Sequence, residues 1–287
     1  MKVLTRFVTA LVLAVPVLAK AQADTAFSVP IEVKSQGVTL RATMHVAAGA
    51  GPHATLVSTK GFPGNNSQAF STFLQSRGFN AISMNFRGQQ QSDGMYDVAG
   101  TPADAAAIIA FLRSDSARRA FRIDPKRIAI SGTSAGSFAA LSAAADDESI
   151  GCLALIVPFN WTVLLVEMRK SPVTRSAVAA QAQSIMNSRV PPVRLDSTFA
   201  TRTLDNAESY DLRGPAGRLK GRSVFMIGAA QDETAPVNTH FNPVRDLLRS
   251  VEAVVRDTML DDTHNLPNSG DRVFDLIAAW LGTCAAR

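Results

Sequence analysis

The sequence predicts an α/β fold: a mostly parallel, eight-stranded sheet with helices on both faces and a small helical cap inserted at about residues 160–204. Three observations carry this. Continuous apolar runs such as 152–157 and 223–228 lack the alternation of a half-exposed strand, so they suit strands buried on both faces. Such runs alternate with helical segments, the pattern of a parallel sheet joined by crossover helices. One run, 128–131, passes through Gly132-Thr133-Ser134-Ala135-Gly136 directly into an Ala-rich helical segment, which is a strand, a sharp turn and a helix. A chain of 287 residues, 46% apolar and 18% charged, has the length and composition for one large core.

The elements follow in order. Residues 1–23 read as a secretory signal peptide: Lys2 and Arg6 precede an apolar stretch at 7–19 that is too short to span a bilayer. Ala19-Lys20-Ala21 and Ala21-Gln22-Ala23 are small-x-small cleavage sites. The expected product is exported, periplasmic or secreted from a bacterium, with no stable membrane anchor. Loss of Lys2, Arg6 and Lys20 lowers the net charge from +5 to +2, and no basic stripe with interleaved aromatics points to nucleic acid. Residues 24–287 form the domain. Segments 27–33 and 38–46 alternate as an antiparallel pair around Gln36-Gly37. Residues 54–59 form a strand, followed by Lys60-Gly61-Phe62-Pro63-Gly64-Asn65-Asn66 and a helix at 67–77. Strand 80–85 leads into a polar, glycine-punctuated loop, where Arg87 is expected to tie the loop down through carbonyls rather than bind a substrate carboxylate.

Residues 102–119 read as one helix, with Thr101 as its cap and Pro102 at the first helical position. Asp124-Pro125 is expected to turn the chain into strand 128–132. After strand 152–157 the pattern breaks. Helices at 162–170 and 176–188 and then Pro191-Pro192 make the cap. Its Phe159, Trp161, Leu164, Leu165, Met168 and Met186 either line a substrate pocket or pack the cap onto the sheet. Strand 223–228, a helical stretch at 237–251, strand 253–259 and a closing helix at 271–281 complete the domain. Two cysteines alone make no framework, and Cys152 and Cys284 are expected to be separate thiols rather than a disulfide.

The turn at Ser134 carries the chemistry. A serine whose hydroxyl must stand clear of its backbone needs a strained turn. Gly132 and Gly136 remove the Cβ atoms that would collide there, and a helix starting at the serine turns its free N–H groups toward developing negative charge. The loop at Gly61-Phe62 follows a buried strand, so the Phe62 and Ala135 N–H groups are the candidate oxyanion donors. Asp232 stands just past a strand end, with its neighbour Glu233 as the fallback. Of the four histidines, His264 alone sits in a loop directly after a strand, whereas His45, His53 and His240 are read as structural. No metal-ligand cluster or cofactor motif is present, so no metal and no cofactor is expected.

The order Ser134, Asp232, His264, each after a strand at one end of the sheet, resembles that of the α/β-hydrolase superfamily. Further resemblances lie in Lys60-Gly61-Phe62-Pro63-Gly64, in Asn85-Phe86-Arg87-Gly88 with Ser92-Asp93-Gly94, in Asp124-Pro125-Lys126-Arg127-Ile128, and in Leu260-Asp261-Asp262-Thr263-His264. The last two are similar to the prolyl-oligopeptidase-like and serine-aminopeptidase-like branches. The resemblance spans nearly the whole mature chain. It departs at Lys60, where many members have histidine, and at Ser137, where many have a second glycine. It implies a serine hydrolase (esterase-like, EC 3.1.1; alternatively a peptidase or amidase, EC 3.4) acting on a small acyl ester or a short peptide. Ser134 is then the nucleophile, His264 the base and Asp232 its partner. A non-catalytic binding protein on the same scaffold is the remaining alternative.

Overall fold

A computed structural model describes residues 25–64, 68–188 and 192–285. The segment read as a signal peptide, the turn residues Asn65 and Asn66, and Pro191 lie outside the described residues. Eight strands form one sheet: β1 (Phe27–Ser35), β2 (Val38–Val46), β3 (His53–Thr59), β4 (Asn80–Met84), β5 (Ile123–Thr133), β6 (Cys152–Ile156), β7 (Ser223–Ala229) and β8 (Val254–Leu260). Their order is β1-β2-β4-β3-β5-β6-β7-β8. β1–β2 and β2–β4 are antiparallel and the other pairs parallel, so β2 alone runs against the rest. The helices are α1 (Ala69–Ser76), α2 (Thr101–Arg113), α3 (Asp115–Ala120), α4 (Gly136–Asp146), α5 (Trp161–Lys170), α6 (Pro172–Met186), α7 (Phe199–Asp205), α8 (Arg213–Ala216), α9 (Val237–His240), α10 (Asn242–Ser250) and α11 (Gly270–Cys284). None of the described helices is long and apolar enough to cross a membrane.

Strand periodicity divides the core into two layers. Val57, Ile82 and Ile130 face Ile108 and Leu112 of α2 and Ala139 and Ala140 of α4. Their neighbours Leu56, Ala81 and Ala129 face the opposite way, into a layer with Leu74 of α1 and Ile277 and Leu281 of α11. Full burial of each large side chain contributes on the order of 1.5–3 kcal/mol, so the central strands are locked in register from both sides.

Several local expectations are corrected. The helix expected at 102–119 is two helices, because Ser114 is extended (φ −62°, ψ 146°) and its side chain caps α3 by accepting from the Ala117 N–H. Thr101 lies inside the first turn of α2 and donates to the Val98 carbonyl, while Gly100 takes the cap position. Asp124-Pro125 is not a turn ahead of the strand but a bulge within β5. Ile123 pairs with His53 and Ile128 with Thr55, so β5 carries the excess residues. The stretch 237–251 is divided into α9 and α10 at Phe241. Arg87 does hold its loop, but through the fully buried carboxylate of Asp104, 2.7 Å from its Nη2, rather than through carbonyls. The two thiols are joined, since α11 runs back along the sheet and ends where β6 begins. Cys152 and Cys284 lie 6.1 Å apart at Cα and form a disulfide. His45 and His53 have structural partners, Ser28 and Gln68 for the first and the Gly49 carbonyl for the second.

Candidate active site

Ser134 has φ +52°, the left-handed strain expected of a serine on a sharp turn between β5 and α4. Its backbone is fixed on both sides: the N–H donates to the Ile156 carbonyl at 2.9 Å, and the carbonyl accepts from the Phe159 N–H at 3.1 Å. The flanking glycines are required by contact. A Cβ on Gly132 would stand 2.6 Å from the Ser137 Cα, and one on Gly136 would stand 2.5 Å from the Lys60 carbonyl oxygen. The start of α4 therefore crosses the end of β3 at a distance that no larger residue allows.

The structure brings Ser134, His264 and Asp232 into one hydrogen-bonded line. Ser134 Oγ is 2.8 Å from His264 Nε2, and His264 Nδ1 is 2.7 Å from Asp232 Oδ2. The Ala235 N–H donates to the other Asp232 oxygen at 2.7 Å, which orients the carboxylate. Asp232 is buried and Glu233 exposed, so the fallback acid is not the one facing the ring. The loop that carries His264 is fastened by Asp262, which is buried and accepts from the Thr263 N–H at 2.9 Å and the Asn268 N–H at 3.0 Å. Burial raises the Asp262 pKa, but those hydrogen bonds outweigh it and hold the carboxyl below its ordinary value.

A cavity of 290 Å³ opens over Ser134 and His264, walled by the loop from Gly61 to Gly64. Among the described residues, neither the Phe62 nor the Ala135 N–H has a hydrogen-bond acceptor in the protein. Gln89 positions this loop and was not foreseen. It is fully buried, its Nε2 donates to the Gly61 and Pro63 carbonyls at 3.2 and 3.1 Å, and its Oε1 accepts from the Phe86 N–H at 3.1 Å. A Cβ on Gly64 would meet that amide at 2.9 Å. One glutamine among three in a row carries no signal in the sequence. The Phe62 ring packs on Tyr96, Trp161 and Phe199, with centroids 5.1, 5.7 and 6.0 Å away, which joins the loop to helices α5 and α7. The question left open for the residues between β6 and β7 is thereby answered for three of them. Trp161, Leu165 and Met168 are buried in the core layer and do not line the cavity over Ser134.

His240 has a structural partner, as expected, but stands closer to the site than a remote core residue. Its Nδ1 accepts from the Asn160 N–H at 2.8 Å, and its ring stacks on Phe159 at 5.0 Å. Burial pushes its pKa down to about 4. The Asp232 charge raises it and that of His264 lowers it, both by less. The imidazole is thus held neutral next to the line of three.

The family model of the X-Pro dipeptidyl-peptidase (S15 family) matches residues 20–189, a span that contains Phe62, Ser134 and Ala135 and stops short of Asp232 and His264. No curated protein matches the chain. Many solved structures share its fold. The esterase Pf2001 of Pyrococcus furiosus has a TM-score of 0.65 at 15% identity, over 91% of this chain and 94% of that one. Est1E of Butyrivibrio proteoclasticus with bound ferulic acid has 0.67 at 14%, over 90% and 100%. Dipeptidyl peptidase 4 of Porphyromonas gingivalis has 0.64 at 14%, over 90% of this chain and 36% of that one. At these identities the likeness carries the architecture, that of an α/β hydrolase.

Proposed function

The chain belongs to the X-Pro dipeptidyl-peptidase (S15) family of α/β hydrolases, and on that premise we propose that it is a serine hydrolase cleaving carboxylic esters through an acyl-enzyme on Ser134. The observation that carries this reading is the unbroken line from Ser134 Oγ through His264 to Asp232. His264 Nε2 takes the hydroxyl proton as Ser134 attacks the acyl carbonyl. The Nδ1–H donates to Asp232, which orients the ring and stabilises its cation. The main-chain N–H groups of Phe62 and Ala135 receive the oxyanion, and each such donor lowers the barrier by about 3 kcal/mol. His264 then returns the proton to the departing alkoxide, and a water activated by the same ring releases the acid.

Family membership favours a second reading, a peptidase releasing dipeptides. Recognition of a free amino terminus calls for a carboxylate at the cavity, and none of the described residues lining it is acidic. That supports the ester. The deciding experiment measures kcat/KM on p-nitrophenyl acyl esters from acetyl upward and on an X-Pro p-nitroanilide. Ester turnover at least 100-fold above anilide turnover, abolished by Ser134→Ala, is expected. The reverse preference would move the assignment to a peptidase.

The proposal includes export to an oxidising compartment, periplasmic or extracellular. The pattern of residues 1–23 and the pairing of Cys152 with Cys284 support it. Amino-terminal sequencing of the protein isolated from the producing cells should begin at Gln22 or Asp24. An intact Met1 would contradict export by cleavage.

A further inference from the structure

We propose that His240 is a positioning residue for Ser134, because it locks the strained segment after β6 that holds the serine backbone; this role rests on the serine-hydrolase reading above. Ser134 keeps its left-handed φ of +52° between two bonds to the end of β6. Its N–H donates to the Ile156 carbonyl at 2.9 Å, and its carbonyl accepts from the Phe159 N–H at 3.1 Å. Those two partners are close in sequence, so the chain must turn back sharply between them. It does so at Val157, which has φ +41°. A β-branched residue in that region is rare and costly, and Pro158 restricts the residue before it further. Such strain persists only where the surroundings over-determine it.

The restraints on this segment can be named. The Val157 N–H donates to the Ile227 carbonyl at 2.7 Å. The Asn160 side chain accepts from the Thr162 N–H at 3.2 Å and donates to Asp211 at 3.0 Å. The main chain of Asn160 is held by His240, whose Nδ1 accepts from the Asn160 N–H at 2.8 Å. The same ring stacks on Phe159 with centroids 5.0 Å apart. His240 thus touches both the residue whose N–H holds Ser134 and the next one along the chain. It also arrives from the other side of the site. Its helix, α9, follows the turn in which the Ala235 N–H orients Asp232, and the His240 N–H donates to the Pro236 carbonyl at 3.0 Å. The imidazole therefore ties the loop that carries the acid to the segment that fixes the nucleophile, the two ends of the line through His264. The position calls for a neutral acceptor. Nδ1 can accept only while unprotonated, so the neutral ring carries its proton on Nε2. Burial keeps the ring neutral at pH 7, so no second cation opposes the one that forms on His264 during attack. A lysine could not accept the bond, and a carboxylate would add charge beside Asp232.

Two variants separate the acceptor from the packing. His240→Phe keeps a ring on Phe159 and removes the acceptor, whereas His240→Asn keeps a neutral acceptor near the place of Nδ1 and removes most of the stack. On p-nitrophenyl butyrate, His240→Phe should lower kcat about 10–100-fold with KM within threefold of wild type. Its rate of labelling by a fluorophosphonate should fall by a similar factor. His240→Asn should recover to within about fivefold of wild type in both. Folded His240→Phe protein with unchanged kcat and labelling rate, or His240→Asn protein as impaired as His240→Phe, would overturn the role. The lock is also read without turnover, by hydrogen exchange at the Phe159 and Asn160 amides. Exchange should be at least 10-fold faster in His240→Phe than in the wild-type and His240→Asn proteins, and equal rates would overturn the proposal. Should His240→Phe fail to fold, nitrogen NMR of the wild-type protein at pH 7 decides. His240 should carry its proton on Nε2 and none on Nδ1, and the opposite tautomer would overturn the bond. Faster exchange in His240→Phe, in a protein whose wild type neither cleaves the ester nor takes the label, would keep the lock on the Ser134 backbone and sink the hydrolase reading. Ester turnover that His240→Phe leaves unaltered would do the opposite.

Discussion

Cys152 and Cys284 are 132 residues apart, and joining them removes much of the freedom of the unfolded chain. In the chain-entropy picture a loop of this length is worth about 5 kcal/mol at 25 °C, and residual structure in the denatured chain reduces that. Cys152→Ser with Cys284→Ser should therefore lower the unfolding free energy by about 2–5 kcal/mol. At roughly 2–4 °C per kcal/mol for a domain of this size, Tm should fall by about 5–15 °C. Trp280 makes the assay direct: it sits on α11, buried against Phe225 of β7 with centroids 6.1 Å apart, and reports the docking of the tethered helix. Urea unfolding would be followed by its fluorescence, with and without a reductant. The wild-type protein should fall to the level of the double variant on reduction, and the variant should not respond. Ester turnover by the folded variant should be unchanged, because the bridge lies at the opposite end of the strands from Ser134. A loss below about 0.5 kcal/mol, or a wild-type curve indifferent to reductant, would refute the reasoning.

Gln89→Leu should cut kcat about 10–100-fold with KM little changed, since freeing the Gly61 and Pro63 carbonyls loosens the loop that presents the Phe62 N–H; an unaltered kcat in folded protein would clear Gln89 of that role. Asp232→Asn should cost about 10⁴-fold in kcat by spoiling the His264 tautomer, while Glu233→Gln should stay within threefold of wild type, and the reverse ranking would reassign the acid. His240 binds a proton near pH 4 in the folded protein and near 6.5 unfolded. Between these values the unfolded chain binds more protons, so stability is full above pH 6.5 and declines as pH falls toward 4, by at most about 3 kcal/mol. His240→Gln should flatten that part of the curve of urea midpoint against pH, and an unchanged slope would show that other groups set it.

The strands were legible because a buried strand must be apolar throughout, as 152–157 is, and because Gly132 and Gly136 leave no other turn at Ser134. The positions of Asp232 and His264 could be read because a parallel sheet puts its functional loops at one end of its strands. What escaped was long-range or purely local. The choice of Ser114 as a cap divides a continuous helical pattern, and the excess residues of the β5 bulge appear only in its pairing with β3. The Cys152–Cys284 pairing depends on the path of α11 along the sheet. Gln89 and Asp262 hold the Gly61 and His264 loops through single side chains bonded to backbone groups, a role that residue type does not signal. The aromatic cluster around Phe62 joins residues from four separate segments.

The account rests on Ser134 being a nucleophile activated by His264. Labelling with a fluorophosphonate and mapping the modified peptide tests this most directly. The wild-type protein should take up one equivalent at Ser134, with a rate that drops at least 100-fold in folded His264→Ala and vanishes in Ser134→Ala. Folded wild-type protein that stays unlabelled, or labelling that maps to another residue, would contradict it.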